Sequence, residues 1–217
     1  MIFVDRQEAG RQLAEALAEL EGEDVVVLGI PRGGVVVAAE VARAHGWPLD
    51  TVIPRKIRAP GNPELGLGAI APSGVRVLDQ RMLEMLGVSE SYLEREIAEE
   101  EREIERRSHE YRRGRPPVDV KEKVAVVVDD GIATGGTATA AVRWAKAQGA
   151  RRVILAVPVA PAEGVWNLST EADEVVCLET PEPFYAVGQW YQEFPQTEDD
   201  EVLRILDDAR ARGDEER

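Results

Sequence analysis

The chain has 217 residues, of which 44% are hydrophobic, and its 41 acidic against 26 basic side chains give a formal net charge of −15. A chain of this size can bury a substantial core, which excludes global disorder and predicts one full domain with an accessory part. The negative charge argues against nucleic acid as a partner, since a phosphate polymer is repelled unless a basic surface overrides it.

Targeting and redox features point to an ordinary intracellular setting. We expect a cytoplasmic protein with no membrane partner, because no apolar run is long enough to span a bilayer and the start resembles no signal peptide. The single cysteine, Cys177, excludes an internal disulfide and is typical of buried packing rather than of a nucleophile. Two distant histidines, His45 and His109, disfavour a zinc site and a histidine-based catalytic pair.

Helix and strand patterns alternate along the first half of the chain. Asp5, Glu8 and leucines at helical spacing predict a first helix that ends at Gly22. Short apolar runs bounded by Gly and Pro then indicate strands that are buried on both faces. The predicted elements are a strand over 24–30, a helix over 35–45, a strand over 49–57, a strand over 65–71 and a hairpin partner over 75–78.

A long, highly charged helix is predicted over about 89–113. Its few apolar residues form one narrow seam made of Leu93, Ile97, Ile104 and Tyr111. Such a seam is typical of a solvated helix that lies over its own domain, and the alternative is a surface that forms a homodimer. A possible homodimer therefore stays open at this point.

The second half of the chain alternates more regularly. Strands are predicted over 123–128, 152–159 and 174–178, and helices over 137–148, 162–168 and 199–212. Strands that alternate with helices indicate an α/β fold with a doubly wound, mostly parallel sheet and flanking helices.

The stretch most typical of a ligand site is Val124-Ala-Val-Val-Val-Asp-Asp-Gly-Ile-Ala-Thr-Gly-Gly-Thr137. A buried strand ends in two carboxylates, and a glycine-rich loop then opens a helix. Ligands of open α/β sheets bind at the carboxyl ends of strands, and backbone N–H groups at a helix N-terminus bind anions. Two acids beside a phosphate cradle suit a ribose phosphate, because the carboxylates can accept hydrogen bonds from its hydroxyls. The loop matches neither the Walker A motif nor the dinucleotide fingerprint.

This stretch resembles the signature of type I phosphoribosyltransferases, which use phosphoribosyl pyrophosphate (PRPP). The resemblance implies that Asp129 and Asp130 serve the ribose hydroxyls. It also implies a 5′-phosphate site formed by Gly131, Ile132, Ala133, Thr134, Gly135, Gly136 and Thr137. Mg²⁺ is the implied cofactor, held mainly by PRPP and water rather than by protein ligands.

The resemblance extends to two further places. Pro31, Arg32, Gly33 and Gly34 follow the first buried strand, where the family keeps its pyrophosphate loop, and Arg32 is suited to pair with a diphosphate. The pair Arg55 and Lys56 resembles the basic residues that the family directs at pyrophosphate. The alternatives are a simple strand-to-helix turn for the first segment and a solvated basic turn for the second.

The implied reaction transfers ribose 5-phosphate from PRPP to a nitrogenous base, with Asp129, Asp130, Arg32 and Lys56 as the catalytic set. Members that act on 6-oxopurines usually carry an acid at the position of Ala133, so alanine favours adenine- or uracil-type acceptors. Clustered aromatic residues suggest a base-binding hood, and the alternative is that these rings only pack the last elements against the sheet. The candidates are Phe184, Tyr185 and Trp190.

The resemblance implies a single domain over 1–217 with a small hood. Its core covers about 24–160, a long helical insertion covers about 79–113, and the hood or C-terminal part covers about 161–217. Two other functions stay open. The chain is either a transferase, a non-catalytic PRPP- or nucleotide-binding regulator with the same fold, or a phosphosugar enzyme of another reaction type.

Overall fold

The computed structural model describes residues 2–215, with side chains from 2 to 213. Helices and strands alternate along most of this length, as the sequence patterns predict. In chain order the elements are α1 (Arg6–Ala16), β1 (Val25–Gly29), α2 (Gly33–His45), β2 (Leu49–Thr51), β3 (Arg55–Ala59), β4 (Asn62–Ile70), β5 (Arg76–Leu78), α3 (Gln80–Met85), α4 (Glu90–Arg112), β6 (Val124–Val128), α5 (Gly136–Ala147), β7 (Arg152–Val159), α6 (Ala162–Leu168), β8 (Glu174–Glu179) and α7 (Asp199–Glu215).

A parallel sheet with strand order β2-β1-β6-β7-β8 forms the centre of the molecule. Every residue of β1 and β6 is buried, as expected for central strands covered on both faces. Val25 and Val27 pack with α1, α2, α4 and α7, whereas Val26 and Leu28 pack with α5 and α6. The sheet is therefore doubly wound, which confirms the predicted fold class. β8, in the segment assigned to the hood, forms an edge of this sheet.

One predicted strand is wrong in its extent. The run 49–57 contains two strands, because β2 joins the parallel sheet while β3 pairs antiparallel with β4, beginning at Arg55 and Ile70. Pro54 lies between them, and proline lacks the N–H that a continuing ladder needs. The predicted hairpin is confirmed: β4 pairs antiparallel with β5, which completes a small sheet of order β3-β4-β5.

The long charged helix lies over its own domain. α4 buries Ile97, Ile104 and Tyr111 in the same core as α2 and β3, and Tyr111 donates a hydrogen bond to Asp199 at the start of α7. The apolar seam is therefore covered within the chain, as the first of the two interpretations predicts. The predicted helical insertion over 79–113 contains the short helix α3 as well as α4. Among residues 2–215, no helix is long and apolar enough to cross a membrane.

A buried ion pair joins the edge of the parallel sheet to the end of α4. Nε of Arg112 donates to both oxygens of Asp50, at 3.0 and 3.1 Å, and the amide of Val118 donates to the same carboxylate at 2.9 Å. Asp50→Ala is expected to lower the free energy of unfolding by about 3–5 kcal/mol, because it leaves the guanidinium buried without its partner. Urea denaturation measures this change.

The matched control is Asp24→Ala, which removes a carboxylate 70% exposed and 3.8 Å from Lys123. Exposed ion pairs contribute little, so its unfolding free energy should stay within about 0.5 kcal/mol of the parent value. Equal decreases in the free energy of unfolding of the two variants would contradict the structural role assigned to Asp50.

Candidate functional site

Two adjoining cavities open at the carboxyl ends of the central strands. The larger has a volume of about 550 Å³ and the smaller about 210 Å³. Both are lined by Asp129, Thr137 and Val187, so they form one continuous site. This is the edge at which open α/β sheets bind their ligands.

The loop predicted to bind phosphate, residues 131–137 and called the phosphate loop below, lines the smaller cavity with all of its residues except Gly136. No described side chain caps the N-terminus of α5, so the amides of its first turn remain directed at the loop. A side chain at Gly131 would place its Cβ 2.4 Å from Cγ1 of Val187, which explains the glycine. The amide of Ile132 is used within the fold, since it donates to the carbonyl of Val159 at 3.0 Å. The predicted loop residues that line the cavity are Gly131, Ile132, Ala133, Thr134, Gly135 and Thr137.

The acid pair, Asp129 and Asp130, follows β6 and lies between the two cavities. The amide of Asp130 donates to Oδ1 of Asp129 at 2.8 Å. Burial, together with the negative charge of Asp130, raises the pKa of Asp129 well above its ordinary value. Asp130 is held differently, because Nε of Arg6 donates to its Oδ2 at 2.7 Å. The two adjacent carboxylates therefore have distinct environments.

The loop predicted to bind diphosphate, residues 31–34 and called the diphosphate loop below, joins β1 to α2 and lies against the acid pair. Its peptide bond between Pro31 and Arg32 is cis. A Cβ on Gly33 would lie 1.9 Å from Oδ2 of Asp130, and one on Gly34 would lie 2.8 Å from Cα of Asp129. Only glycine permits this approach, and Gly33 lies at the wall of the larger cavity.

Arg32 lines the larger cavity together with Pro31 and Gly33. Its Nη1 lies 3.4 Å from Oε2 of Glu198, a carboxylate that is 69% exposed. An ion pair this long and this exposed to water holds the guanidinium weakly. Arg32 is therefore free to turn toward an anionic ligand.

The second basic pair predicted for the site is engaged elsewhere. Nε of Arg55 donates to Oε2 of the buried Glu100 at 2.6 Å, and Nζ of Lys56 donates to the carbonyl of Glu64 at 3.2 Å. Neither residue lines either cavity, although the adjacent Pro54 lines the larger one. Their assignment to pyrophosphate stays a prediction.

The predicted aromatic residues lie beside the site rather than on its wall. The rings of Phe184 and Trp190 stack with centroids 6.3 Å apart and pack against a buried cluster that contains Phe3 and Tyr191. Tyr185 is 77% exposed. This arrangement matches the packing alternative for Phe184 and Trp190, and the assignment of all three to a base stays a prediction.

Sequence reasoning missed the residues that close the larger cavity. Arg6 reaches it from α1, and the strap, residues 194–197, crosses it ahead of α7. Nη1 of Arg6 donates to the carbonyl of Pro195 at 2.7 Å, and its guanidinium lies 3.8 Å from the ring centroid of Phe194. No local motif marks these residues, because the contacts join distant parts of the chain.

The raised pKa of Asp129 has a consequence for stability. The folded state binds the proton more tightly than the unfolded state, so the contribution of Asp129 to folding becomes less favourable as pH rises above about 4. Asp129→Asn is therefore expected to stabilise the protein at pH 7, by about 1.4 kcal/mol for each unit by which the folded pKa exceeds the unfolded one. Urea denaturation at pH 3.5 and pH 7 measures the unfolding free energies of the variant and the parent. A stabilisation that is no larger at pH 7 than at pH 3.5 would contradict a raised pKa for Asp129.

A doubly wound sheet with two glycine-containing loops and an acid pair at the carboxyl ends of its central strands defines an open α/β protein with a candidate ligand site at those ends. The family model of the phosphoribosyl transferase domain matches residues 5–190. The chain therefore belongs to this family, which confirms the resemblance found in its signature.

Individual relatives agree with this assignment. The chain is 49% identical over 208 residues to a provisionally named phosphoribosyl transferase of Mycobacterium tuberculosis strain H37Rv, a match that covers 96% of this chain and 47% of that protein. It thus spans about half the length of the curated relatives it matches. It is also 49% identical to a Thermus thermophilus protein of solved structure, with a TM-score of 0.81 and coverage of 95% and 98% of the two chains.

A shorter similarity involves a uracil phosphoribosyltransferase of Desulfitobacterium hafniense. It extends over 59 residues at 39% identity and covers 27% of this chain and 28% of that enzyme.

Proposed function

We propose that this chain is a Mg²⁺-dependent phosphoribosyltransferase that transfers the ribose 5-phosphate of PRPP to a nitrogenous base and releases pyrophosphate. The observation that carries the proposal is the position of the acid pair between two loops that are predicted to bind anions. Asp129 lines both cavities, and Asp130 lies against Gly33 of the diphosphate loop. PRPP has the same order of groups, with hydroxyls between a monophosphate and a diphosphate.

In this proposal each part of the site takes one group of PRPP. The phosphate loop binds the 5′-phosphate through the first-turn amides of α5 and the hydroxyls of Thr134 and Thr137. Asp129 and Asp130 accept hydrogen bonds from the ribose hydroxyls. The amides of the diphosphate loop and the guanidinium of Arg32 bind the diphosphate. These contacts orient C1′ for attack from the side opposite the leaving group.

The acid pair is also suited to a magnesium complex of PRPP, since carboxylate oxygens are preferred Mg²⁺ ligands. Within the described side chains, no three His, Cys, Asp or Glu residues cluster where they could hold a metal ion. The cation would therefore be held mainly by oxygens of PRPP and by water, with Asp129 and Asp130 beside it. Mg²⁺ supplies charge neutralisation for the departing diphosphate.

The protein's own contribution to the reaction is electrostatic. As the bond from C1′ to the diphosphate breaks, the sugar becomes cationic, and the nearby carboxylates of Asp129 and Asp130 stabilise that charge. Arg32 stabilises the negative charge on the leaving group, with Lys56 as a second predicted cation. Donors preorganised in this way typically contribute about 100- to 1,000-fold each to the rate.

The acceptor that we propose is a pyrimidine- or adenine-type base. Ala133 stands where members acting on 6-oxopurines usually carry an acid, and the partial similarity to a uracil phosphoribosyltransferase points the same way. Phe184, Tyr185 and Trp190 remain proposed as base contacts, with stacking of about 1–3 kcal/mol for each base–aromatic pair.

The test is a calorimetric titration with PRPP and Mg²⁺, followed by a pyrophosphate-release assay with uracil, adenine, hypoxanthine and guanine. Saturable PRPP binding and base-dependent release are the expected results. PRPP binding without release for any base would overturn the transferase and favour a regulatory protein. An absence of binding at millimolar PRPP would overturn both.

A further inference from the structure

Arg6 brings a positive charge into the site from outside the three motifs that define it. The residue lies in the first turn of α1 and is separated from the acid pair by most of the chain. Its side chain is only 10% exposed, and that of its partner Asp130 is 16% exposed. Burying a guanidinium on the wall of a candidate ligand site is costly, because the group loses its hydration. The contacts around Arg6 must therefore offset that cost.

Arg6 is held from two sides. Nε donates to Oδ2 of Asp130 at 2.7 Å, while Nη1 donates to the carbonyl of Pro195 at 2.7 Å. The guanidinium plane lies over the ring of Phe194, 3.8 Å from its centroid. The strap therefore fixes the guanidinium, and the guanidinium in turn fixes one oxygen of Asp130.

The backbone of Asp130 is fixed by the same part of the chain. Tyr191, just ahead of the strap, donates its hydroxyl to the carbonyl of Asp130 at 2.5 Å. Gly33 leaves no space beside the ion pair, since a Cβ at this position would lie 1.9 Å from Oδ2 of Asp130 and 2.7 Å from Nε of Arg6. The ion pair uses Oδ2 and leaves Oδ1 of the same carboxylate for a further donor, such as a ligand hydroxyl.

We propose that Arg6 is a positioning residue of the ribose subsite, which it serves by holding the carboxylate of Asp130 in one orientation. The inference rests on the proposed function, because it takes the acid pair as the acceptor of ribose hydroxyls. It differs from a role as a diphosphate ligand, in which Arg6 would leave Asp130 and act beside Arg32. Arg6 thereby makes the conformation of the strap a condition for binding the sugar.

The test compares Arg6→Gln and Arg6→Lys by calorimetry with two ligands, ribose 5-phosphate and magnesium pyrophosphate. Arg6→Gln is expected to weaken ribose 5-phosphate binding about 100-fold, because a misplaced group in a preorganised site can cost that factor. The affinity for pyrophosphate should stay within about twofold of the parent value. Arg6→Lys should recover part of the lost affinity for ribose 5-phosphate, because the ammonium restores the positive charge. It lacks the second donor group with which the guanidinium also reaches the carbonyl of Pro195. In an Asp130→Asn background, Arg6→Gln should cause no further loss.

The matched control is Arg11→Gln in the same helix, since that side chain is 54% exposed and lies 3.8 Å from its carboxylate partner Glu40. Its affinities should equal those of the parent protein. Loss of pyrophosphate binding alone in Arg6→Gln would overturn the inference in favour of a diphosphate ligand. Unchanged or tighter ribose 5-phosphate binding in both Arg6 variants would also overturn it. Failure of the parent protein to bind ribose 5-phosphate would instead overturn the proposed function, and the inference with it.

Discussion

Replacing both carboxylates of the acid pair, Asp129→Asn with Asp130→Asn, is expected to weaken PRPP binding about a thousandfold. Each substitution replaces a carboxylate with a neutral amide and so removes a charge-assisted hydrogen bond from a ribose hydroxyl. Such bonds contribute about 1.5–3 kcal/mol each. The fold should survive, because Asn keeps the shape of the side chain and the change removes two adjacent charges from a buried site. Calorimetry with PRPP and Mg²⁺ measures the loss, and urea denaturation shows that the variant is folded.

The control for this variant removes two carboxylates from the surface, Asp24→Asn with Asp208→Asn. Both side chains are exposed, so the control has the same change in net charge and no change in the site. Its PRPP affinity should match that of the parent. PRPP binding retained by the acid-pair variant would refute the assignment of Asp129 and Asp130 to the ribose.

Arg32→Gln is expected to lower kcat about 100- to 1,000-fold in the pyrophosphate-release assay. In the proposed reaction, the substitution removes the cation of the diphosphate loop that stabilises the leaving group, where negative charge develops in the transition state. Folding should be nearly unaffected, because the only ion pair of Arg32 within the described residues is its contact at 3.4 Å with the exposed Glu198. Steady-state kinetics with the preferred base measures the change.

Arg76→Gln is the matched control for this measurement. Arg76 also forms an ion pair at 3.4 Å, with Glu101, but it lies in β5 and lines neither cavity. Its kcat should equal the parent value. A similar decrease in both variants would show that general charge, rather than the position of Arg32, controls the rate.

Much of the fold is predictable from the sequence because the central strands are buried on both faces. Runs such as Val124–Val128 and Arg152–Val159 are apolar almost throughout, and glycine or polar turns bound them. The prediction failed at 49–57, where apolar character continues past the end of β2 and only Pro54 marks the change of sheet. Apolar runs report burial, but they do not report which sheet a strand joins.

In the site, the residues that could be predicted are those that lie together in one segment of the sequence. The phosphate loop and the diphosphate loop are contiguous segments, so their glycines and polar residues appear together in the sequence. Arg6 contacts Asp130, and Phe194 contacts Arg6, only through tertiary structure. Arg55 shows the opposite case: its resemblance to a basic pair of the family predicts a ligand contact, yet the chain pairs it with Glu100 of α4.

Two segments that are distant in the chain meet beside the site. The amide of Phe3 donates to the carbonyl of Trp190 at 2.8 Å, and the amide of Glu193 donates to the carbonyl of Val4 at 2.9 Å. During synthesis residues 3–4 precede the diphosphate loop and the phosphate loop, and residues 190–193 follow both loops. Contacts between such distant segments close slowly. A nascent chain therefore contains both loops before Arg6 can reach Pro195, so the contact between Arg6 and the strap forms only after both loops have been synthesised.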